Sequence, residues 1–341
     1  MNLIIVFGGS SFEHEISIVS AITLKDKIKK HNLTFVFADK DRDFYLIEKE
    51  NMKSKYFSTF EYKKAKKLNL VKGGFEYKKL FGSEKISGVV LNLIHGRDGE
   101  DGKIAGMMQF FGIKCITPNL EASVLSYNKL YTKMYAKEVG VKVLEYKYIT
   151  DDSYIPNNFP VIIKPVRLGS SIGVTIAKNI DEYRYGLDVA FEFDDGVIVE
   201  EFKEGINEYN LAGCYAGEFI FSKVEKVKKD EFLSYEDKYL DFSRKEAKTE
   251  KISKELEDKL KENFRKIYNT TFKGSLIRCD FFEINGEIYL NEINPIPGSM
   301  ANYLFSDFDD VIEKVANSLT FEKRIDIDYS YINKIQMAKG K

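Results

Sequence analysis

The sequence predicts an α/β protein that opens with a doubly wound domain and continues into segments built from antiparallel strands. The apolar run Leu3–Phe7 is followed by consecutive glycines and a helical pattern, which is typical of a doubly wound sheet. Further along, two apolar strands flank the glycine- and serine-rich stretch Val166–Gly173. Finally, Ser275–Gly298 has the pattern of two strands joined near Asn285-Gly286. All three features put polar residues beside strand ends, where binding sites are commonly built.

The composition limits the class of protein. With 341 residues, the chain is long enough for about two to three domains. Its 52 basic and 53 acidic residues nearly cancel, which disfavours nucleic acid as a partner. No apolar run approaches the roughly 20 residues of a membrane helix, and the N-terminus lacks the basic start of a signal peptide. The 3 cysteines lie far apart, so neither a disulfide framework nor a zinc motif is indicated. We expect a cytoplasmic protein without membrane or nucleic-acid partners.

Two charged, glycine-rich loops follow strands in the first segment. One contains Glu13 and His14, and the other is His95–Gly102, directly after the predicted strand Gly88–Ile94. Ligands bind beyond the carboxyl ends of strands in doubly wound sheets, so both loops are expected to face one crevice. The pattern G-x-G-x-x-G is absent, which disfavours a dinucleotide site. Taken alone, Glu13 is equally consistent with a carboxylate that only complements a helix dipole.

The middle segment predicts an anion-binding loop. A predicted helix, Ser126–Val139, carries Lys129 and Lys133, and lysines on a helix usually form a solvated face. The next apolar strand contains Lys164, which needs an anionic partner if it is buried. The loop Val166–Gly173 then offers backbone N–H groups and serine hydroxyls to a phosphate. It is not a Walker loop, because no Lys-Ser/Thr and helix follow its glycines.

The hairpin at Ser275–Gly298 predicts a metal site. Four polar residues lie there among apolar neighbours: Arg278, Asp280, Glu292 and Asn294. Burying them is costly unless they are paired or hold an ion. Glu292 and Asn294 share one strand face. Asp280 joins that face only if the loop has an odd number of residues, so we expect a three-residue loop ending in Gly286. Carboxylate and amide oxygens suit Mg²⁺. A buried salt bridge from Arg278 to Asp280 or Glu292 is the alternative.

Two stretches show little apolar period. Residues 51–80 are rich in lysine and aromatic residues, and we interpret them as variable surface structure. The highly charged stretch from about residue 226 to 250 is long for a loop in a compact domain, which is typical of either a disordered segment or a functional lid.

Six motifs in this order resemble those of the D-alanine–D-alanine ligase family, within the ATP-grasp superfamily. The resemblance covers nearly the whole chain. The motifs are GGSSFEHEIS (Gly8–Ser17), HGRDGEDG (His95–Gly102), KPVRLGSSIGV (Lys164–Val174), DKY (Asp237–Tyr239), RCDFF (Arg278–Phe282) and NEINPIPG (Asn291–Gly298). Any one of them is weak, whereas six in sequence are highly specific.

The resemblance implies an α/β fold of the ATP-grasp type, in which a Rossmann-like N-terminal domain precedes two subdomains with antiparallel sheets. The implied divisions are residues 1–118, 119–204 and 205–341, with the lid at about 226–250 in the last. The implied reaction is ATP-dependent joining of two D-alanines through a D-alanyl phosphate, for peptidoglycan precursors. ATP and Mg²⁺ are implied, with two metal ions, Mn²⁺ as a substitute, and a homodimer.

Site residues follow from the motif positions as expectations. The metal ligands would be Asp280, Glu292 and Asn294. The groups expected at the reacting atoms or tying the lid are Glu13, Ser170, Tyr239, Arg278 and Gly298. The substrate contacts would be Glu13, His95, Arg278, Ser299 and Tyr303. The ATP contacts would be Lys129, Lys164, Gly169, Ser170, Ser171, Glu200, Glu201, Phe202, Lys203, Glu208 and Lys238, with Glu208 on the ribose.

Three departures from the family pattern occur. Asn128-Lys129 stands where Asp-Lys is usual, and Asn294-Pro295 stands where Asn-Thr is common. The serine expected at the carboxylate of the second substrate falls on Tyr303, so either Ser299 or Tyr303 takes that task. Tyr239 favours an amine nucleophile over D-lactate.

Other functions stay open on the sequence alone. They are a ligase using D-lactate, D-serine or another carboxylate, and a non-catalytic ATP-binding regulator. The complete set of Asp280, Glu292, Asn294 and Arg278 argues against the regulator.

Overall fold

The computed structural model describes residues 1–227, 252–323 and 325–339. Three sheets organise these residues, and each is covered by helices. No helix in these ranges is both long enough and apolar enough to cross a bilayer.

The first sheet has eight strands in the order β6-β5-β4-β3-β2-β1-β7-β8. Only β2, β1, β7 and β8 run parallel to one another, as in a doubly wound sheet. The strands are β1 (Asn2–Gly8), β2 (Asn32–Ala38), β3 (Phe44–Ile47), β4 (Lys66–Val71), β5 (Gly74–Lys78), β6 (Ser83–Ile86), β7 (Val89–Asn92) and β8 (Cys115–Ile116). The helices of this part are α1 (His14–Lys27), α2 (Ser54–Ser58) and α3 (Lys103–Phe110), with 3₁₀ turns at Lys49–Asn51 and Glu61–Lys64.

The interpretation of residues 51–80 as variable surface structure is wrong. This stretch contains α2 and the antiparallel strands β4 and β5, which extend the first sheet. Its aromatic residues are the reason, because Phe57 and Tyr62 are buried in the core shared with α1, and Phe75 and Tyr77 are buried in a second core that includes residues of α3. The exposed lysines between them hide the apolar period in the sequence.

The second sheet is antiparallel and has four strands in the order β10-β13-β11-β12. They are β10 (Tyr146–Ile149), β11 (Val161–Pro165), β12 (Thr175–Ala177) and β13 (Val197–Glu201), and α6 (Ile180–Phe191) packs on one face. The third sheet has six strands, namely β14 (Asn207–Tyr215), β15 (Phe219–Phe221), β16 (Glu225–Lys226), β17 (Leu276–Ile284), β18 (Glu287–Asn294) and β9 (Lys142–Val143).

Helices of the second half pack around the third sheet and tie it to the first. α4 (Leu120–Tyr127), α5 (Lys129–Glu138) and α7 (Lys254–Tyr268) cover one face, with the fully buried Phe264 and Tyr268 at the centre. The 3₁₀ segment Gly298–Leu304 and α8 (Phe308–Ser318) share one apolar core with α1 and the first sheet. A last helix, α9 (Ser330–Ala338), buries none of its residues.

The predicted helix Ser126–Val139 is in fact two helices. They meet at Asn128, whose side chain accepts hydrogen bonds from the backbone N–H groups of Leu130 and Tyr131 at 2.9 and 3.1 Å. This is an N-cap, for which asparagine is among the best residues. The break starts α5 at Lys129 and turns that lysine toward the loop after β11, where the Lys129 N–H donates to the Val166 carbonyl.

Candidate active site

The β17–β18 hairpin brings together the four polar residues predicted for it, but the expected three-residue loop is not what aligns them. Ile284 pairs with Glu287, so the turn has only two residues, Asn285 and Gly286, both with positive φ. The prediction of a three-residue loop is therefore wrong. The odd residue is Asn291, which forms a bulge between the pairs Phe281–Leu290 and Asp280–Glu292. The bulge restores the register that sets Asp280 opposite Glu292.

Asp280 is the centre of this cluster. Both its oxygens accept from Arg278, at 2.7 Å from Nε and 2.8 Å from Nη2, and Oδ2 also accepts from the Asn294 amide at 3.0 Å. The salt bridge that was the alternative is thus present beside the predicted metal set. Burial raises the pKa of Asp280, the charge of Glu292 raises it further, and Arg278 opposes both. Among the described residues no group of three His, Cys, Asp or Glu side chains is arranged to hold a metal ion, so the candidate metal set is two carboxylates and one amide.

Lys129 links this hairpin to the serine loop. Its Nζ donates to the Leu168 carbonyl at 2.6 Å and lies 3.8 Å from the Glu292 carboxylate. Lys164 approaches the same hairpin from β11, where its Nζ donates to the Asn291 side chain at 3.3 Å. Two ammonium groups predicted to hold phosphates therefore converge on the edge of the candidate metal set.

Lys164 also has the anionic partner that the sequence required. Its Nζ donates to Glu200 Oε2 at 2.8 Å, and the buried Lys133 pairs with the other oxygen of Glu200. Burial alone would raise the pKa of Glu200, but the two lysines hold it down at about 2. This carboxylate is paired with two lysines and so belongs to the lysine cluster, while its predicted place in the adenine pocket stays a prediction.

The loop Gly169–Gly173 reaches across to the first segment. Ser170 and Ser171 both have positive φ, at 56° and 58°, and the Ser170 hydroxyl donates to Glu13 Oε1. A Cβ atom on Gly169 would lie 3.2 Å from the same Glu13 oxygen, so the glycine permits the close approach. Two members of the predicted lid triad are thus in contact.

Glu13 lies at the start of α1 without capping it by a side-chain hydrogen bond. The view of Glu13 as a simple helix-dipole partner therefore does not account for its place against Ser170. It is 5% exposed, and its Oε2 has no hydrogen-bond partner among the described residues. Burial, followed by the charge of Glu100, raises the pKa of Glu13 to about 7. A cation bound beside this carboxylate would therefore stabilise its ionised form.

His95 joins the two halves of the site through Ser20. The Ser20 hydroxyl lies 3.1 Å from His95 Nε2 and accepts the backbone N–H of Ser299 at 3.0 Å. Burial lowers the pKa of His95 to about 4, so the imidazole is neutral at pH 7. Its Nδ1 lies 3.6 Å from Glu100, whose pKa burial raises to about 8.

The segment after Gly298 has an unusual backbone. Ser299, Met300 and Ala301 all have positive φ, between 45° and 53°. Three such residues in a row cost roughly 1–2 kcal/mol each. The burial of Met300 and Ala301 in the core shared with the first sheet holds them there. The Ser20 hydroxyl fixes the first of the three.

Tyr303, one of two residues considered for the second substrate, has its hydroxyl engaged. It donates to Glu225 at 2.9 Å, and the Asn210 amide donates to the same oxygen at 3.1 Å. Burial raises the pKa of Tyr303 above its usual range. This arrangement leaves Ser299 as the residue nearer to His95 and Ser20.

The remaining predicted residues lie near the ends of β13 and β14. Glu201 pairs with Lys203 at 2.8 Å on the surface, the Phe202 N–H donates to the Pro160 carbonyl, and Glu208 is on β14, where its charge raises the pKa of Lys164. Lys238 and Tyr239, with almost all of the predicted lid, lie outside the described residues.

Four residues of the site were not predicted to belong to it. They are Ser20, Glu100, Lys133 and Glu225. Glu100 sits in the charged loop that the sequence singled out, so that loop held a usable signal. The other three occur in ordinary helical or strand patterns, and only their contacts reveal them.

Comparisons with known proteins identify the family of this chain. Family models described as the D-ala D-ala ligase N-terminus and C-terminus match residues 2–118 and 135–316. A curated D-alanine–D-alanine ligase of Sulfurovum sp. (strain NBC37-1) is 57% identical, with 100% of both chains covered.

Solved structures of ligases are also similar to this chain. The crystal structure of a D-alanine–D-alanine ligase from Helicobacter pylori is 45% identical, with a TM-score of 0.85, covering 95% of this chain and 100% of that chain. A D-Ala:D-Ser ligase from Enterococcus faecalis is 25% identical, with a TM-score of 0.74, covering 93% and 97%. On the family models and the full-length similarity together, the chain belongs to the D-alanine–D-alanine ligase family.

Proposed function

We propose that this enzyme joins two D-alanines into D-alanyl-D-alanine with consumption of ATP, for peptidoglycan precursors. The observation that carries the proposal is one crevice in which Glu13 faces Ser170 of the glycine loop while Lys129 and Arg278 border Glu292 and Asp280. A carboxylate for a substrate ammonium thus lies close to cations for phosphate and for a developing oxyanion. Ligation through an acyl phosphate needs these groups.

ATP is proposed to lie between the second and third sheets. Lys129 and Lys164 would bind its phosphates, with Lys238 from the lid, under the loop that contains Gly169, Ser170 and Ser171. The adenosine would meet the segment from Glu200 to Lys203, with Glu208 on the ribose. Support comes from the position of these residues at the ends of β11, β13 and β14, around Lys164.

Mg²⁺ is proposed at Asp280, Glu292 and Asn294, as two ions that Mn²⁺ can replace. The donor set fits, because Asp280 and Glu292 face each other on neighbouring strands and their repulsion adds to the raised pKa of Asp280. Oδ2 of Asp280 accepts from both Arg278 and Asn294, whereas Oδ1 accepts one hydrogen bond and keeps a lone pair for a metal ion. Bound ions would neutralise charge on the phosphate oxygens.

The side chains of this enzyme then act in two steps. In the first, Glu13 binds the ammonium of one D-alanine, the carboxylate of that D-alanine takes the γ-phosphoryl group of ATP, and ADP leaves. In the second, the amine of the other D-alanine attacks the acyl carbon, and phosphate leaves. Arg278 and the Gly298 N–H would stabilise the oxyanion, and Ser299 would meet the second carboxylate. The contact between Ser170 and Glu13 would exclude water from the acyl phosphate.

The test is ATP-dependent phosphate release by the purified enzyme with Mg²⁺ and D-alanine, with L-alanine as the control and the product identified by mass. We expect release that depends on D-alanine and a D-alanyl-D-alanine product. Release that requires D-serine or D-lactate would replace the proposed second substrate. Folded enzyme that binds ATP but releases no phosphate with any of these would contradict ligase activity. We further propose a cytoplasmic homodimer, which light scattering of the same preparation would test.

A further inference from the structure

A buried lysine outside the predicted phosphate set lies one turn beyond Lys129 on α5. Lys133 is 3% exposed, and its Nζ pairs with Glu200, which is 2% exposed. Glu200 also binds Lys164 at 2.8 Å through its other oxygen. A single buried carboxylate is thus shared by two ammonium groups that come from different elements, α5 and β11.

The net charge of the three side chains distinguishes this arrangement from a simple salt bridge. Two lysines and one glutamate carry a net charge of +1, whereas Lys164 and Glu200 alone would be neutral. Lys164 points toward the hairpin, where it also donates to Asn291 at 3.3 Å. The Nζ of Lys133 pairs with the other oxygen of Glu200 and lies 5.4 Å from the centroid of the Tyr146 ring. The surplus positive charge therefore emerges on the Lys164 side.

We propose that Lys133 is a positioning residue for the nucleotide, which engages Glu200 so that Lys164 keeps an uncompensated positive charge directed at the phosphates. The inference rests on the proposed function, because it assigns Lys164 to the phosphates of ATP. Lys133 itself touches no substrate. A lysine that served only to stabilise the fold would affect all ligands alike, whereas this role scales with the charge of the ligand.

The chain offers a matched control on the same helix. Lys137 lies one turn after Lys133, and its Nζ is 5.1 Å from the centroid of the same Tyr146 ring. Its side chain is 48% exposed, and it pairs at 3.7 Å with Glu145, which is 92% exposed. Lys137→Met therefore removes the same charge and the same ring contact without touching Glu200.

The experiment measures the Kd of adenosine, ADP and ATP by calorimetry for the wild type, Lys133→Met and Lys137→Met, without D-alanine. Losing one unit of charge at a short distance in a partly buried site is expected to weaken ATP binding about tenfold or more. ADP should weaken less, and adenosine should be unchanged. In turnover, KM for ATP should rise while KM for D-alanine stays constant. Lys137→Met should match the wild type throughout.

A second substitution separates charge from packing. Lys133→Met/Glu200→Gln restores the net charge to +1, so the ratio of ATP affinity to adenosine affinity should return to within about threefold of the wild type. If Lys133→Met does not fold, the double variant is compared with Glu200→Gln, whose net charge is +2. The single variant should then bind ATP about tenfold more tightly than the double variant, with equal affinity for adenosine.

The outcomes separate the two claims. Equal changes for adenosine, ADP and ATP, or no change, in enzyme that turns over D-alanine would overturn the role of Lys133 and leave the ligase function intact. A wild type that binds no ATP would overturn the proposed function itself. A loss confined to phosphorylated ligands, reversed in the double variant, supports the inference.

Discussion

Glu13 and Glu200 are both buried carboxylates of the same crevice, yet they differ sharply in charge state. Glu13 is 5% exposed and Glu200 is 2% exposed. Burial raises the pKa of Glu13 to about 7, with Glu100 adding to the effect. Two lysines overcome the same effect of burial and hold the pKa of Glu200 at about 2. The partner decides the charge, since burial disfavours the ionised form in both cases.

The difference indicates which part of the site awaits a ligand. The carboxylate of Glu200 has its counter-charges within the protein, from Lys133 and Lys164, which together keep one surplus positive charge. Glu13 has a serine hydroxyl and a neighbouring acid, so its ionised form gains most from an added cation. This fits the proposed role of Glu13 as the partner of a substrate ammonium, and the following substitutions test its contrast with Glu200.

The largest effect is expected from Glu13→Gln. Removing one partner of a buried charge pair costs about 3–5 kcal/mol, so kcat/KM for D-alanine should fall by roughly 10²–10³. Nucleotide affinity should change little, because Glu13 faces the amino-acid side. Steady-state kinetics with Glu15→Gln, an exposed neighbour, provides the comparison. A fall of less than threefold would mean that Glu13 does not bind the ammonium.

Glu100→Gln should change how stability depends on pH. The folded pKa of Glu100 is raised to about 8, so between pH 4.5 and 8 the folded state holds a proton that the unfolded state has lost. Stability attributable to this group therefore falls as pH rises through that window. Glutamine removes the dependence, and the variant should gain on the order of 5 kcal/mol relative to the wild type from pH 4.5 to 8.

Urea unfolding of the ligand-free enzyme across this range measures the effect, with the exposed Glu121→Gln as control. Glu200 should behave in the opposite way. Because its folded pKa is depressed to about 2, its contribution is present above pH 4.5 and is lost as pH falls toward 2. Parallel curves for Glu100→Gln and the wild type would show that Glu100 is ionised in the fold.

Ser170→Ala should have a smaller effect that reports on Glu13. The hydroxyl donates to Glu13 and lowers its pKa, so losing it raises that pKa further. A hydrogen bond to a charged group contributes about 1.5–3 kcal/mol, which predicts a fall of roughly tenfold or more in kcat/KM. Since Glu13 must be ionised to bind an ammonium, the acidic limb of the pH profile should also move to higher pH. Ser153→Ala on the surface serves as the reference, and an unmoved limb would break the link between Ser170 and Glu13.

Tyr303→Phe should have the smallest effect. Its hydroxyl is engaged by Glu225, a third buried carboxylate, which also keeps the Asn210 amide. KM for the second D-alanine should therefore change by less than about threefold, while one hydrogen bond costs about 1 kcal/mol of stability. Steady-state kinetics of Tyr303→Phe and Ser299→Ala at saturating ATP would measure this KM for both variants. A larger rise in KM for Tyr303→Phe than for Ser299→Ala would show that Tyr303, rather than Ser299, binds the carboxylate of the second D-alanine.

The hairpin shows how far sequence reasoning reached. The polar residues on β17 and β18 and the need for one odd residue were correctly predicted. The predicted position of that odd residue was wrong. It is Asn291, which forms a bulge in β18, whereas Asn285 and Gly286 form a two-residue turn. Turn dipeptides report local backbone preference, whereas a bulge depends on how both strands pack.

The motifs and the ordered spacing along the chain were enough to predict the family, the ligase activity and the α/β fold of the ATP-grasp type, which the comparisons confirm. The domain divisions and the individual residue roles stay predictions. Residue types at fixed spacing determine these features, because the chemistry of phosphate and carboxylate groups demands particular side chains near particular turns.

The partners of the buried charged side chains depend on the tertiary structure alone. Lys133 has the helical pattern of a solvated lysine but is buried on Glu200, and residues 51–80 hide a sheet behind surface lysines. The opposite pKa values of Glu13 and Glu200 arise in the same way, from groups that are distant in sequence: Ser170 and Glu100 in one case, Lys133 and Lys164 in the other. Electrostatic energy depends on distances in space and on the exclusion of water, and neither is encoded in any local stretch of the chain.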